Sequence, residues 1–267
     1  MRLLTPIIPD PGAPLARANP VAKLAAALVI LVALFASLDG VTAGIVLIGL
    51  IALLPASGLS VRALVGRSWL VGVTALSIGV FNVLFAVEQA GPTVVEVGEL
   101  RIGAETLVNG AGLVLRLLAI ALAGLLATAS SDPIEVAGAL IQQLGVSPRF
   151  AIGVLAALRL LPLLAQEWQT LGMARRARGV DAGRSPFAAA RLFAGKLLSL
   201  LVGVIRRGSR MALAMEARGF GALSCRSVAR PQRMRPFDWA WIVGAFALVS
   251  AAVGISLAVG TWRPLLG

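Results

Sequence analysis

Histidine and tyrosine are absent from this 267-residue chain, and Cys225 is its only cysteine. Without histidine there is no imidazole general base, no Ser-His-Asp triad and no histidine metal site. One thiol cannot close an internal disulfide or build a thiolate cluster, so Cys225 reads as a small apolar residue. Acids are scarce too, 12 against 24 Lys+Arg, and no Gly-x-x-x-x-Gly-Lys-Ser/Thr loop is present to cradle nucleotide phosphates. The chain is therefore expected to be non-catalytic, with no metal and no cofactor of its own.

Apolar residues are what it has in quantity: 58% of the chain is hydrophobic and 13% charged, the balance of a membrane protein. A net charge of +12 in a soluble chain would suggest nucleic acid. Here the excess of positive residues on the cytoplasmic side of membrane proteins accounts for it, so no nucleic-acid partner is expected, while contact with anionic membrane lipid is.

Residues 1–20 hold five prolines and lack the short apolar core of a signal peptide, and they read as a cytoplasmic leader. Four apolar runs follow within 21–129. Val21–Ser37 and Val41–Leu54 form an antiparallel pair across Leu38-Asp39-Gly40, with the second run short for a bilayer. A polar connection at 60–68 carries Arg62 and Arg67 and leads to a third span, Trp69–Val87. The acidic loop after it holds Glu88, Glu96, Glu99 and Glu105, and its alternating TVVEVGELRIG predicts a small hairpin around Gly98. Thr106–Ala129 is the fourth span and contains Arg116, which reads either as a functional charge or as a partner for a neighbouring helix. Asp238–Val259, within a C-terminal region of 237–267, is the fifth span.

Between them, residues 130–236 differ in character. The stretch from Arg149 to Arg235 carries sixteen of the 24 Lys+Arg and only three acids, Glu167, Asp181 and Glu216. Its apolar runs are interrupted by Arg159 and Pro162 or span only 197–205, so they predict helices lying along the inner face of the membrane. Placing this segment in the cytoplasm puts the N-terminus and Arg62/Arg67 inside and the acidic loop outside.

Two sequences in that segment end alike. LGMARRARG closes on Ala177-Arg178-Gly179, and MALAMEARGFG closes on Ala217-Arg218-Gly219. Each predicts a helix C-terminus, where good helix formers stop at a glycine able to take positive φ. Such an arginine can simply complement the helix dipole. Yet the residues three and four positions before Arg178 are Arg175 and Ala174, and those before Arg218 are Met215 and Ala214. Neither guanidinium has a carboxylate within its own helix, and a planar five-donor fork suits an acidic groove on a partner.

With SDPIEVAGAL after the fourth span, Leu158-Arg159-Leu160-Leu161-Pro162, ARRARGVD and AMEARGFG in order, the chain resembles the T component of energy-coupling factor (ECF) transporters, the EcfT or CbiQ-like transmembrane family. The resemblance implies an all-α polytopic membrane protein of about five transmembrane helices plus two long cytoplasmic or interfacial coupling helices in an L-shaped arrangement. It implies location in the plasma membrane of a prokaryote as part of an ABC-like importer of vitamins or metal ions such as cobalt. Arg178 and Arg218 fall on the family's two coupling arginines, each inserted into one of two cytoplasmic ABC-type ATPase subunits. A membrane-embedded S component would bind substrate, and Mg-ATP would sit on the ATPases. Three arginines crowd the first motif, and Arg178 takes the coupling role because it alone shares the Ala-x-Gly frame with Arg218. Arg175, Arg176, Met215, Glu216, Arg159 and Pro162 are supporting contacts on this reading, with Arg175 and Arg176 at the rim or facing lipid. Two other readings stand beside it: a self-contained carrier or channel, and an intramembrane enzyme clamping an anionic lipid-linked substrate with its arginines.

Overall fold

The computed structural model describes residues 12–59, 61–86, 92–97, 100–180, 183, 185–220 and 231–262. The leader through residue 11, and Gly98, Glu88, Glu99, Asp181, Arg184, Cys225 and Arg263, lie outside these. Among the described residues the fold is all-α apart from one hairpin, and the chain divides into two compact units: residues 1–143 with 232–267, and residues 144–231.

In the first unit a short α1 (Pro14–Arg17) precedes α2 (Pro20–Ala36), α3 (Gly40–Ala52), α4 (Leu54–Ser57) and α5 (Val61–Leu84). Strands β1 (Thr93–Val97) and β2 (Leu100–Gly103) follow, then α6 (Ala104–Ala129) and α7 (Pro133–Gln143). The hairpin expected from the alternating sequence is present, antiparallel, with Val95 opposite Ile102 and Val97 opposite Leu100. The connection expected at 60–68 is instead helical from Val61, so the third apolar helix begins well before Trp69.

Helix starts follow local chemistry. Asn19 Oδ1 accepts from Val21 N at 2.9 Å with Pro20 at the first helical position, and Asp39 Oδ2 caps α3 by accepting from Thr42 N at 2.7 Å.

Small residues then set how closely the helices approach. A Cβ built on Gly112 would lie 2.9 Å from Gly40 Cα, and one on Gly44 would lie 3.8 Å from Leu115, so α3 and α6 run parallel in near backbone contact. Gly79 faces Gly110 and Val114 while Gly110 faces Val83, which makes α5 antiparallel to α6.

The second unit holds α8 (Pro148–Ala177) and α9 (Pro186–Ala217), after which α10 (Pro236–Val259) returns to the first. Asp238 Oδ1 accepts from Asn19 N at 2.7 Å at the start of α10, and Ser256 Oγ donates to Asp39 Oδ2 at 2.6 Å near its end. Helices α2 and α10 are therefore parallel, and α2, α3, α5, α6 and α10 alternate in direction through the bundle.

Two polar clusters tie opposite ends of this bundle. At one end Asp39 receives Ser37 Oγ, Thr42 N and Ser256 Oγ, and Arg116 donates from Nη2 to the Ser37 carbonyl. Arg116 thus pairs with the α2–α3 turn, one of its two expected roles. At the other end the buried Lys23 Nζ donates to Ser130 O at 2.7 Å, beside the contact between Asn19 and Asp238. The interior between them is Leu34, Ala43, Val46, Leu50, Ala119, Ala123 and Ala252.

By length and composition α6, α8, α9 and α10 can each cross a membrane, while α2, α3 and residues 68–84 of α5 are shorter apolar helices. This differs from the interrupted segments expected between Arg149 and Ile205. Pro162 lies inside an unbroken α8, at the loss of one backbone hydrogen bond, and α9 continues without a break through Ile205 to Ala217. At 1.5 Å per residue the two helices are about 45 and 48 Å long. Helix α7 packs on α2, and the first compact unit extends through Gln143.

Candidate functional site

The two arginine-bearing helix ends have the same backbone geometry. At the end of α8, Arg178 has φ −89° and ψ 9°, Gly179 has φ +72°, Gly179 N donates to Arg176 O at 3.0 Å, and Val180 N donates to Arg175 O at 3.0 Å. At the end of α9, Arg218 has φ −87° and ψ 8°, Gly219 has φ +72°, Gly219 N donates to Glu216 O at 2.9 Å, and Phe220 N donates to Met215 O at 3.0 Å. Both are Schellman ends, in which a left-handed glycine turns the chain back to satisfy carbonyls that the helix leaves open. Glycine is what permits this, since the left-handed region costs other residues about 1–2 kcal/mol.

The turn leaves each arginine at an exposed tip. Ala177, Arg178, Gly179, Ala217, Arg218 and Gly219 are all exposed, and among the described residues no side chain partners either guanidinium. These ends can receive an acid from another molecule without breaking any contact of their own.

Helices α8 and α9 meet over a limited stretch. Arg175 Nη1 donates to Leu192 O at 2.9 Å, Trp168 meets Phe193 edge-on at 5.2 Å, and Glu167 pairs with Arg207 at 3.3 Å. Arg175 is thus engaged with α9, whereas Arg176 makes only a long bond to Gly172 O within its own helix. From Gly195, where Arg175 rests, to Arg218 the helix rises about 35 Å, so the two tips are well separated. Met215 is half-buried, while Glu216, Arg159 and Pro162 are exposed and distributed along the helices rather than gathered at one tip.

Among the described residues no group of three or more acidic or thiol ligands gathers, and α9 contains no buried residue at all. Leu197, Leu198, Leu201, Val202 and Ile205 are exposed along it. The second unit therefore consists of two charged helix tips on helices whose apolar surface is largely uncovered.

The sequence profile of the CbiQ family, described as cobalt transport protein, matches residues 12–227, a stretch that includes both tips. The chain belongs to the CbiQ family. It is 27% identical over 179 residues to the energy-coupling factor transporter transmembrane protein EcfT of Leuconostoc gelidum subsp. gasicomitatum, covering 64% of this chain and 65% of that protein. The proteins of the same description from Thermosediminibacter oceani and Heliobacterium modesticaldum are 28% identical over 171 residues and 29% identical over 184 residues. Those matches cover 61% and 66% of this chain and 64% and 66% of the respective proteins. The chain thus spans just under two thirds of the length of these curated relatives.

In this CbiQ-family membrane protein both glycine-terminated helix ends are legible in the sequence, whereas the contacts that hold the bundle of the first unit are not. Asp39 and Ser256 are 217 positions apart, and Lys23 and Ser130 are 107 apart, with no local pattern linking either pair. The one available signal was the presence of charge and hydroxyl groups inside apolar runs, which in hydrocarbon must find partners.

Proposed function

We propose that this chain is the transmembrane coupling subunit of an ATP-driven importer of the energy-coupling factor type. Hydrolysis occurs on two separate cytoplasmic ATPase subunits, and their movement enters this chain at Arg178 and Arg218. A separate membrane-embedded S component binds the vitamin or metal-ion cargo. The observation that carries this reading is the matched pair of helix ends: two arginines without a side-chain partner among the described residues, in closely matching backbone settings at the ends of two separate helices, suit one docking groove on each of two similar subunits. Support also comes from the relatives described as energy-coupling factor transporter transmembrane proteins.

Each tip acts as a rigid fork. An arginine held bidentately by a carboxylate transmits displacement without losing register, and the Schellman turn keeps it at the end of a long lever. The alternating bundle with Lys23, Asn19 and Asp238 at one end fits an N-terminus on the cytoplasmic side, the same side as the basic segment.

The test is Arg178→Glu combined with Arg218→Glu in the assembled transporter. Each reversal is expected to cost about 2–5 kcal/mol of ATPase docking by leaving a partner acid buried and repelled. The double variant should enter the membrane normally, lose co-purification with the ATPases and abolish uptake. Retained ATPase binding and transport in that variant overturns the reading.

A further inference from the structure

We propose that the hollow between the end of α8 and the start of α9 is a binding site for the phosphate of an anionic lipid headgroup. The hollow has a volume of about 360 Å³, and Trp168, Gly172, Arg175, Arg176, Phe193 and Lys196 line it. Two glycines make room for its cations. A Cβ on Gly172 would lie 3.0 Å from Lys196 Nζ and 4.0 Å from Arg176 Nη2, and one on Gly195 would lie 3.1 Å from Arg175 Nη1.

Three cationic side chains therefore line one hollow, Lys196 and Arg176 beside Gly172 and Arg175 beside Gly195. Arg175 spends one N–H on the Leu192 carbonyl, and Lys196 Nζ stands 5.2 Å from the Trp168 ring centroid. Among the described residues none of the three is paired with a carboxylate, and Glu167, the single acid of α8, is paired with Arg207. Three cations lining one hollow favour an anion with several acceptor oxygens, which a phosphodiester supplies.

The surroundings favour a lipid as its source. The cations close an apolar stretch of α8 that exposes Leu158, Leu161 and Leu163, and Phe187 and Phe193 are 87% and 55% exposed beside them on α9. Acyl chains can lie on that flank while the headgroup meets the cations, with Trp168 at the boundary where an amphipathic ring is suited. Neither Arg178 nor Arg218 lines the hollow, whereas Arg175 and Arg176, supporting contacts of the coupling reading, do, so the test rests on Lys196, which has no part in that reading.

The experiment is native mass spectrometry of the full chain in mild detergent, titrated with phosphatidylglycerol or phosphatidylcholine. Wild type should retain phosphatidylglycerol preferentially, and excess inorganic phosphate should not displace it. Lys196→Gln should weaken retention about five-fold, the effect of one interfacial cation. Lys196→Arg should preserve it, and Arg191→Gln, at an exposed cation of α9 that does not line the hollow, should leave it unchanged. Unchanged retention in Lys196→Gln, or an equal loss in Arg191→Gln, overturns the site. Displacement by inorganic phosphate overturns the lipid as its ligand.

Discussion

Replacing Gly112 with alanine places a Cβ 2.9 Å from Gly40 Cα and 3.2 Å from Gly40 N, inside ordinary van der Waals distance of two backbone atoms. No rotamer change relieves such a contact. The start of α3 is held in place, because Asp39 caps Thr42 N at 2.7 Å and receives Ser256 Oγ at 2.6 Å, so α3 and α6 must move apart. Overpacking of this kind costs about 1–3 kcal/mol, and alanine regains about 1 kcal/mol of helix propensity, leaving a net loss of up to about 2 kcal/mol. Gly124 on the same helix has nothing within 4 Å of a built Cβ, so Gly124→Ala keeps only the propensity gain and should stabilise by about 0.5–1 kcal/mol. Far-UV circular dichroism during titration of dodecyl maltoside micelles with sodium dodecyl sulfate reads both changes on the same protein. If Gly112→Ala stabilises the protein as much as Gly124→Ala does, close approach at Gly40 is not what holds these helices together.

At the tips, Gly179→Ala and Gly219→Ala meet no steric obstacle but must keep φ near +72°, so each should loosen its turn by about 1 kcal/mol. Hydrogen exchange at the Val180 and Phe220 amides should then quicken about five-fold, and unchanged exchange at both would contradict the assigned strain. Burial of Asp39 pushes its carboxyl upward, but hydrogen bonds from Ser256, Ser37 and Thr42 outweigh this and hold it below the usual carboxylate range. Its stabilisation is present above about pH 4 and disappears as pH falls through the lower folded value. Ser256→Ala should therefore cost about 1–2 kcal/mol at neutral pH, with the gap from wild type narrowing in acid, as followed by the same detergent titration at each pH.

The features legible in sequence share one property: their cause lies within a few residues. The alternation around Gly98 gave the hairpin, and the glycines after Arg178 and Arg218 gave the helix ends, because backbone conformation there depends on immediate neighbours. Helix continuity was harder to read. Pro162 and the charged residues of 60–68 looked like interruptions, yet a long helix tolerates one lost hydrogen bond when the turns on either side remain intact. Arg175 looked like a rim charge, and only the approach of Leu192 on α9 assigned one of its N–H groups to the helix pair.

By itself the sequence determined that this is an apolar, basic, largely helical chain with two glycine-terminated arginine tips, since composition and local backbone preference suffice for each of those properties. The tertiary structure decided which polar groups are engaged and which remain available. Asp39, Lys23 and Arg116 are consumed inside the bundle by partners from 79 to 217 positions away, whereas Arg178 and Arg218 find none among the described residues. Partnering depends on which helices meet and at what register, and that is set by close contacts such as Gly40 against Gly112, which no stretch of neighbouring residues encodes.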